Sequence, residues 1–440
     1  MKHRVLSVLI FFVVLVSQPV FAQEVFTVEQ VVALALEKNY DVLLSKNAST
    51  AAQTSDKYSW GVYLPTINAT GSTSWNGSRQ TNEFADATKN TKGNARANNT
   101  QGAVQLAWTL FDGTKMFATR ERLEIFAEQG ELLVKDQLTN TVAAVVTGYY
   151  DLVRQKQQLR AIQELMAVNE ERVKLAERKL QVGTGGKPEL LQAKVDYNAQ
   201  RTLALQQQAL ILQQKERLNA LIGAQLPPEY DVADTIMISL DINREDVLGT
   251  PENRNFALQA QRKSIMMSSL SVHERRGEFF PRLTFNASYN YSRNDNQVLL
   301  NPFGAVFATA SGYNYGFTIN IPILNNFTTR SQTELAKITY NRQQLLYEQL
   351  KLTVDVGLKN AYVAYDNARQ VLLVEEDNIL VAKENVSIAL ITFKRGATTF
   401  VELRTAQQSL ADAYNRLIQA RYQAKAAETE LLRLNGGLLK

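Results

Sequence analysis

Few residues of this chain have the types and spacing that catalysis requires. His273 is the one histidine beyond the first 22 residues, and it lies in a charged segment beside Glu274, Arg275 and Arg276. Such a segment is typical of a solvated helix face, and the acidic run 375–377 is interpreted in the same way. The sequence shows no phosphate-binding loop, nucleophile elbow or metal-spaced carboxylate cluster. We therefore expect neither an enzyme nor a bound cofactor or metal.

Two glutamates stand at equivalent positions of a long internal repeat. Shifting the numbering by 213 places Gly183 on Gly396 and Glu189 on Glu402. Each acid follows a glycine turn and begins a helical pattern, where the helix dipole favours a carboxylate. A repeat of this length indicates two copies of one large supersecondary unit. We expect the copies at residues 23–223 and 249–436, with a connector at 224–248 and a tail at 437–440.

The N-terminus has the pattern of a cleaved secretory signal peptide, residues 1–22. Lys2 and Arg4 precede an apolar run, and Val20 and Ala22 fit the small-residue rule before the cleavage site. Removing this segment lowers the formal charge from +5 to +3, because it takes away two basic residues. A nearly balanced charge without basic blocks argues against nucleic acid as a partner. The absence of cysteine excludes disulfides, thiolate metal sites and a lipid anchor on cysteine.

Four segments alternate between apolar and small polar residues, near 64–78, 98–111, 281–293 and 312–324. In the first, Ile67, Ala69 and Trp75 share one face. The polar stretch 78–99 predicts a flexible loop, and no charged residue occurs between Asp295 and Arg330. A water-exposed sheet face would normally carry Lys or Glu. Apolar residues opposite uncharged small polar ones, with aromatic residues near the ends, favour membrane β-barrel strands over a β-sandwich.

Each strand pair is followed by a long helical pattern, at 114–181 and 327–394, and then by a returning helix, at 188–222 and 401–434. At 1.5 Å per residue each long helix measures on the order of 100 Å. Residues 28–62 also predict a helix, interrupted at Asn39. Apolar residues recur every seven positions, which indicates coiled-coil packing. The long-helix seams are Leu138, Val145, Leu152, Leu159, Met166, Val173 and Leu180, and Leu358, Tyr365, Leu372, Ile379, Val386 and Phe393.

The strand number requires several chains. Four strands cannot close a barrel, and an open sheet edge in lipid leaves backbone groups unsatisfied at a cost of several kcal/mol each. The count alone leaves two, three or four copies open.

The sequence resembles the TolC-like outer-membrane efflux proteins over nearly all of its length after the signal segment. The resemblance rests on the order, spacing and duplication of weak motifs. These are the Gly-x-x-x-Pro segments Gly61–Pro65 and Gly277–Pro281, the strand ends Leu110–Gly113 and Pro322–Asn325, and the turn glycines Gly183 and Gly396 with Glu189-Leu190 and Glu402-Leu403 after them.

The resemblance implies an α+β membrane protein. It implies a homotrimer whose 12-stranded β-barrel, four strands per chain, lies in the lipid of a Gram-negative outer membrane and continues as a 12-helix coiled-coil tunnel through the periplasm. It also implies docking to a periplasmic adaptor protein and an inner-membrane transporter. The chain would then be a passive exit duct of an efflux or type I secretion system.

The resemblance places the closed mouth at Gly183 and Gly396, with Glu189 and Glu402 as a ring of carboxylates that favours cations. Where other members close the mouth with Tyr and Arg, this chain has Phe393 and Thr398, so closure would depend more on packing. The adaptor contact is expected near the same turns, at Arg178, Lys187, Pro188 and Arg395.

Two questions stay open at this level. An exported periplasmic coiled-coil adaptor or structural protein would also be helical, although it would lack four uncharged aromatic-rich strands. Within the resemblance, ducts for proteins, drugs and metals share the same patterns, so the sequence does not identify the transported substrate.

Overall fold

The structure is a computed structural model that describes residues 25–226, 230–249, 251–299 and 304–439. The expected signal peptide, residues 1–22, lies outside the described residues, as does the Pro227-Pro228 pair. The chain divides into two compact units. The strand unit contains Ala48–Glu131 and Ala260–Glu348. The hairpin unit contains the described residues up to Asn47, Leu132–Gln259 and those from Gln349 onward.

Eight α-helices and six strands follow one another along the described residues. In chain order they are β1 (Val25–Phe26), α1 (Val28–Lys38), α2 (Tyr40–Lys57), β2 (Thr66–Asn82), β3 (Thr91–Phe111), α3 (Lys115–Gln181), α4 (Lys187–Ile222), β4 (Asp231–Val232), α5 (Arg244–Leu248), α6 (Phe256–Gly277), β5 (Arg282–Val298), β6 (Phe307–Asn320), α7 (Thr328–Lys394) and α8 (Phe400–Leu434). The bounds of the long and returning helices lie within one residue of their sequence pattern.

The strand unit is built on one antiparallel sheet with the order β2-β3-β5-β6. The pairing of β2 with β3 is continuous from Thr66 opposite Ala107 to Asn82 opposite Thr91. The prediction of a flexible loop over 78–99 is therefore wrong, since most of that stretch is paired strand. This part has no large apolar side chain on either face, so the alternation of apolar and polar residues that marks a half-buried strand is missing there.

The helical part of the strand unit is joined to the sheet by a close backbone contact. Gly113 has a φ of 76°, and a Cβ on it would lie 2.1 Å from the carbonyl oxygen of Gly277. Ion pairs then connect α3 to α6 and the residues after it, with Lys115 Nζ 2.8 Å from Glu278 and Arg122 Nε 3.0 Å from Glu274. These contacts fix the direction in which the helices leave the strands.

The hairpin unit contains α3 with α4 and α7 with α8. In the second copy the predicted heptad seam is confirmed, because all six of its residues from Leu358 to Phe393 are buried. In the first copy the seam beyond Leu152 is wrong. Its predicted residues are only half-buried, and the buried positions there include Ile162, Leu165, Asn169, Arg172 and Ala176. Two of these are polar, so a search for apolar residues selects their neighbours instead.

The connector between the copies is held by side chains rather than by regular pairing. Among the described residues of the connector only Asp231–Val232 forms a strand, parallel to Val25–Phe26. Lys156 Nζ lies 2.7 Å from Asp231 and 2.6 Å from Asp234. Burial disfavours the charged ammonium, but the two carboxylates outweigh it and raise the pKa of Lys156.

Two buried asparagines perform the same task in the two copies. Asn39 separates α1 from α2, as predicted, and its Nδ2 donates to the Leu221 carbonyl at 2.7 Å. In the second copy Asn255 Nδ2 donates to the Leu434 carbonyl at 3.1 Å. Each Oδ1 accepts the backbone N–H three residues later, at 3.1 Å in both cases. Each asparagine therefore caps one helix and ties its start to the end of a returning helix.

Candidate functional site

The turns at the ends of the long helices are built alike. The first turn spans 182–186 and the second 395–399. Gly183 and Gly396 have φ values of 76° and 74°. The next residue closes a Schellman motif in each case, with Thr184 N donating to Lys179 O and Ala397 N to Thr392 O, both at 2.9 Å. A Cβ on either glycine would meet nothing within 4 Å, so the backbone angle alone requires glycine here.

The residues after these glycines differ between the copies. Helix α8 begins with a capping box, in which Thr399 Oγ1 accepts Glu402 N at 3.3 Å and Thr399 N donates back to the Glu402 carboxylate at 3.4 Å. The Thr398 hydroxyl donates to the same carboxylate. Helix α4 has Gly186 as its N-cap, with no side-chain cap. Within the described part of the chain, the Glu189 carboxylate accepts no hydrogen bond. The structure thus engages Glu402 as a cap, whereas Glu189 caps no helix and acts only as a charge near Arg172.

Phe393 is part of the packing between the two long helices. It is 3 % exposed, and Lys179 Nζ lies 4.1 Å from the centroid of its ring, close enough for a cation–π contact. Phe393 therefore joins the two hairpins near the turns. The four expected partner-contact residues Arg178, Lys187, Pro188 and Arg395 are all exposed at the turns.

A buried charge network lies below the turns, and the sequence patterns did not reveal it. Arg172 is 1 % exposed. Its guanidinium donates to the Asp196 carboxylate and, at 2.7 Å, to Gln407 Oε1, and it lies 4.8 Å from the Phe400 ring centroid. Arg404 reaches the other Asp196 oxygen at 3.4 Å. Residues from α3, α4 and α8 meet here, so the network links the two hairpins.

Burial disfavours the charge at the centre of this network. Burial lowers the pKa of the Arg172 guanidinium, and the Asp196 carboxylate opposes that shift. Arg172 Nε and Gln407 Nε2 are buried and have no hydrogen-bond partner among the described residues. The sequence hints at a special role for Arg172 only through the repeat. The equivalent position in the second copy is the uncharged Asn385, so the two copies differ in charge there.

The residues considered first for chemistry do not form a catalytic centre. His273 is exposed. The acidic run is not a fully solvated face, because Glu375 is buried and its carboxylate accepts Arg416 Nε at 3.0 and 3.1 Å. This ion pair ties α7 to α8. In the part of the chain that the structure describes, no three His, Asp or Glu side chains gather as metal ligands. No helix there is both long and apolar enough to cross a membrane.

The described residues combine an antiparallel sheet that has one apolar face with two long helical hairpins, which is the architecture expected of a membrane export duct. The family model "Outer membrane efflux protein" matches residues 31–224 and 248–437. The chain belongs to this family, and it is an outer-membrane efflux channel. The prediction of an outer-membrane channel is thereby confirmed over the alternative of an exported periplasmic coiled-coil adaptor.

Curated relatives are similar over most of their length. The toluene efflux pump outer membrane protein TtgC of Pseudomonas putida is 22 % identical over 415 residues, covering 93 % of this chain and 82 % of the relative. The cation efflux system protein CusC of Escherichia coli K12 is 21 % identical over 424 residues, covering 93 % and 86 %.

Solved structures share the fold. A crystal structure of CusC has a TM-score of 0.77 at 18 % identity, covering 93 % of this chain and 92 % of that one. The outer membrane protein VceC of Vibrio cholerae has a TM-score of 0.76 at 16 % identity, covering 93 % and 96 %.

Proposed function

We propose that three copies of this chain form a passive exit duct that is docked to a periplasmic adaptor and an inner-membrane pump. The observation that supports it most is the pair of free sheet edges. The strands β2 and β6 each have one edge without a partner among the described residues. If β6 of one copy pairs with β2 of the next, three copies of four strands close a 12-stranded barrel and every edge is satisfied.

The hairpin unit supports the same arrangement. Apolar residues that are more than half exposed recur at heptad spacing on two of its helices. They are Val374, Val381 and Ile388 on α7, and Leu191, Leu205 and Leu212 on α4. Heptad seams of this kind bury themselves against another helix. One chain leaves them uncovered, so neighbouring copies would cover them and extend the ring as a helical tunnel.

The oligomer is tested by its behaviour in outer-membrane fractions. The protein should sediment with the outer membrane and migrate on gels as a trimer that heating converts to monomer. A protein that is recovered as a soluble monomer would remove the barrel proposal. Relatives named for toluene, antibiotic and cation efflux are similar to this chain over most of their length, so we propose that the pump rather than the duct selects the substrate.

We propose that Glu189 and Glu402 make the mouth of the duct selective for cations, with Gly183 and Gly396 forming its turns and Phe393 and Thr398 supporting its closure. In a trimer each glutamate occurs three times near a narrow opening, where a carboxylate ring raises the local cation concentration. Glu189 is expected to contribute more, because the Glu402 carboxylate is held in the capping box.

Replacing both glutamates with glutamine should lower the cation-to-anion permeability ratio roughly three- to tenfold, measured on single channels in planar bilayers. Glutamine retains capping ability, so Glu402→Gln preserves the helix start. The matched control is Glu384→Gln, a change of the same charge on an exposed face of α7 away from the turns. An unchanged ratio in the double variant would show that the ring does not select ions.

We propose that the exposed basic residues Arg178, Lys187 and Arg395, with Pro188, contact the adaptor. The charge reversals Lys187→Glu and Arg395→Glu should abolish most efflux-dependent resistance without lowering the amount of protein in the outer membrane, because exposed charges affect association more than folding. Lys337→Glu, an exposed basic residue in the strand unit, is the control. Normal resistance in the double variant would contradict the contact.

A further inference from the structure

Basic side chains cluster on one face of the hairpin that β2 and β3 form. Thr73 and Thr100 share that face, because their hydroxyl oxygens lie 3.0 Å apart. Strand alternation places Arg79, Lys92 and Arg96 on the same face. In three successive rows Arg96 is opposite Gly77, Arg79 is opposite Asn94 and Lys92 is opposite Thr81. Arg79 is thus a diagonal neighbour of both other cations, at about 7–8 Å.

Arg293 on β5 adds a fourth cation. It pairs with Thr100 and therefore shares this face. Its guanidinium lies 5.0 Å from the centroid of Phe307. Trp75 and Phe307, in the adjoining row, are 74 % and 52 % exposed. Aromatic residues next to cations are typical of a membrane–water interface. We call Arg79, Lys92, Arg96 and Arg293 the basic girdle.

The girdle lies on the face that is apolar elsewhere in the sheet. Lower rows of this face contain residues such as Val104, Leu106 and Tyr289. The opposite face of the same hairpin segment is uncharged, and there Asn82 Nδ2 donates to Thr91 Oγ1 at 3.3 Å. All charged residues of β2 and β3 are on the apolar face. In the proposed barrel, on which this inference rests, that face contacts lipid, so the girdle does not line the pore.

Protein groups offset the charge of the girdle only in part. None of its four members forms an ion pair in the described ranges. Two carboxylates are close to the girdle along the chain. Asp295 shares its face and lies two residues from Arg293, and Glu83 follows β2. Asp86 is already held by Lys89 at 3.5 Å and by Thr88. The proposed partner edge of β2 is β6 of the next copy, and residues 296–329 contain no charge at all. A neighbouring copy therefore supplies no carboxylate from that strand.

We propose that the basic girdle binds the phosphate groups of lipids in the outer leaflet of the membrane. Its position is consistent with that leaflet, because it lies at the strand ends remote from the helices. Guanidinium groups form bidentate hydrogen bonds with phosphate, and closely spaced cations next to exposed aromatic rings suit a phosphorylated headgroup at the interface. Bound phosphates would also relieve the repulsion among the cations.

The full-length trimer is titrated in detergent with diphosphorylated lipid A, and the bound lipid is counted by native mass spectrometry. The triple variant Arg79→Gln/Arg96→Gln/Arg293→Gln should bind at least about tenfold more weakly, because charge-assisted hydrogen bonds are lost. Arg282→Gln is the matched control. Arg282 is a sheet arginine on the opposite face, where it donates to Thr109 Oγ1 at 3.0 Å, and its variant should bind like the wild type.

Two further arms identify the ligand and guard against misfolding. Lipid A without phosphates should bind the wild type and the triple variant equally weakly, and millimolar inorganic phosphate should not displace the phosphorylated lipid. If the triple variant does not assemble, Arg79→Lys/Arg96→Lys keeps the charge but removes the bidentate geometry, and it should bind with intermediate strength.

Several results would overturn the proposal: equal binding by the wild type and the assembled variant, equal loss with Arg282→Gln, binding that ignores the lipid phosphates, or displacement by free phosphate. A wild-type protein that forms no heat-modifiable trimer would contradict the barrel itself. A normal trimer with unaltered lipid binding would contradict the girdle alone.

Discussion

Asp196→Ala is expected to remove about 3–5 kcal/mol of local stability from the hairpin ends, because it leaves a buried guanidinium without its carboxylate. Arg172 is 1 % exposed, and its other partner, Gln407, is uncharged. Two other charges act on Arg172 from nearby: Arg404 repels it, and Glu189 attracts it more weakly than Asp196 does. Hydrogen exchange of the full-length protein in detergent should show lost protection in α3, α4 and α8 around these residues.

Two companion variants make this result specific. Ser409→Ala is the matched control, because 409 is the repeat equivalent of 196, and the exposed Ser409 hydroxyl donates only to its own helix, at Thr405 O. Its effect should stay within about 0.5 kcal/mol. Asp196→Ala combined with Arg172→Met should recover most of the loss, since a buried ion pair is often replaceable by packed apolar groups. Unchanged protection in Asp196→Ala would mean that the network adds nothing to stability.

A functional consequence follows if the turns form the closed mouth. The Arg172 network connects the first hairpin to α8 of the second, so its loss allows the hairpins to separate more easily. The Asp196→Ala channel should then spend a larger fraction of time in a conducting state in planar bilayers.

The second large effect is expected at Gly436, where an alanine should prevent normal folding of the hairpin unit. Gly436 has a φ of 69°, and a Cβ there would lie 2.3 Å from the carbonyl oxygen of Arg254. The backbone at that point cannot easily yield, because the adjacent Asn255 is hydrogen-bonded to Leu434 and to Leu258. The left-handed conformation costs alanine roughly 1–2 kcal/mol, and the backbone clash adds to that cost.

Gly396→Ala separates the two contributions. Gly396 has nearly the same φ, 74°, but a Cβ on it meets nothing within 4 Å. The stability that Gly396→Ala loses should be limited to the conformational cost of about 1–2 kcal/mol. The measurement is the amount of heat-modifiable protein in the outer membrane, together with its melting temperature. Equal losses in the two variants would show that the contact with Arg254 is not limiting.

The parts of this protein that repeat along the chain could be predicted from the sequence. Alternation identified all four strands of the sheet, and seven-residue spacing identified the long helices and the buried seam from Leu358 to Phe393. The turn glycines followed from the need for a positive φ between two helices. These features depend on periodicity or on local backbone geometry, and both are written in neighbouring residues.

The length of the strands required the tertiary structure. Residues 78–82 and 91–98 have no large apolar side chain on either face, and their cross-strand partners keep them extended. Glu375 is another example. The sequence predicts that it lies on a solvated helix face, whereas in the structure its carboxylate pairs with Arg416 of α8.

The sequence predicted one part of the candidate site, and the tertiary structure was needed for the rest. The sequence located the turns and their glutamates, but only the structure showed that Glu402 is engaged as a cap and that Glu189 is not. It also showed that Arg172 is buried between partners 24 and 235 residues away along the chain. Sequence patterns predict that a charged residue is exposed. Its burial becomes favourable only through hydrogen bonds, and these form only after distant helices have packed together.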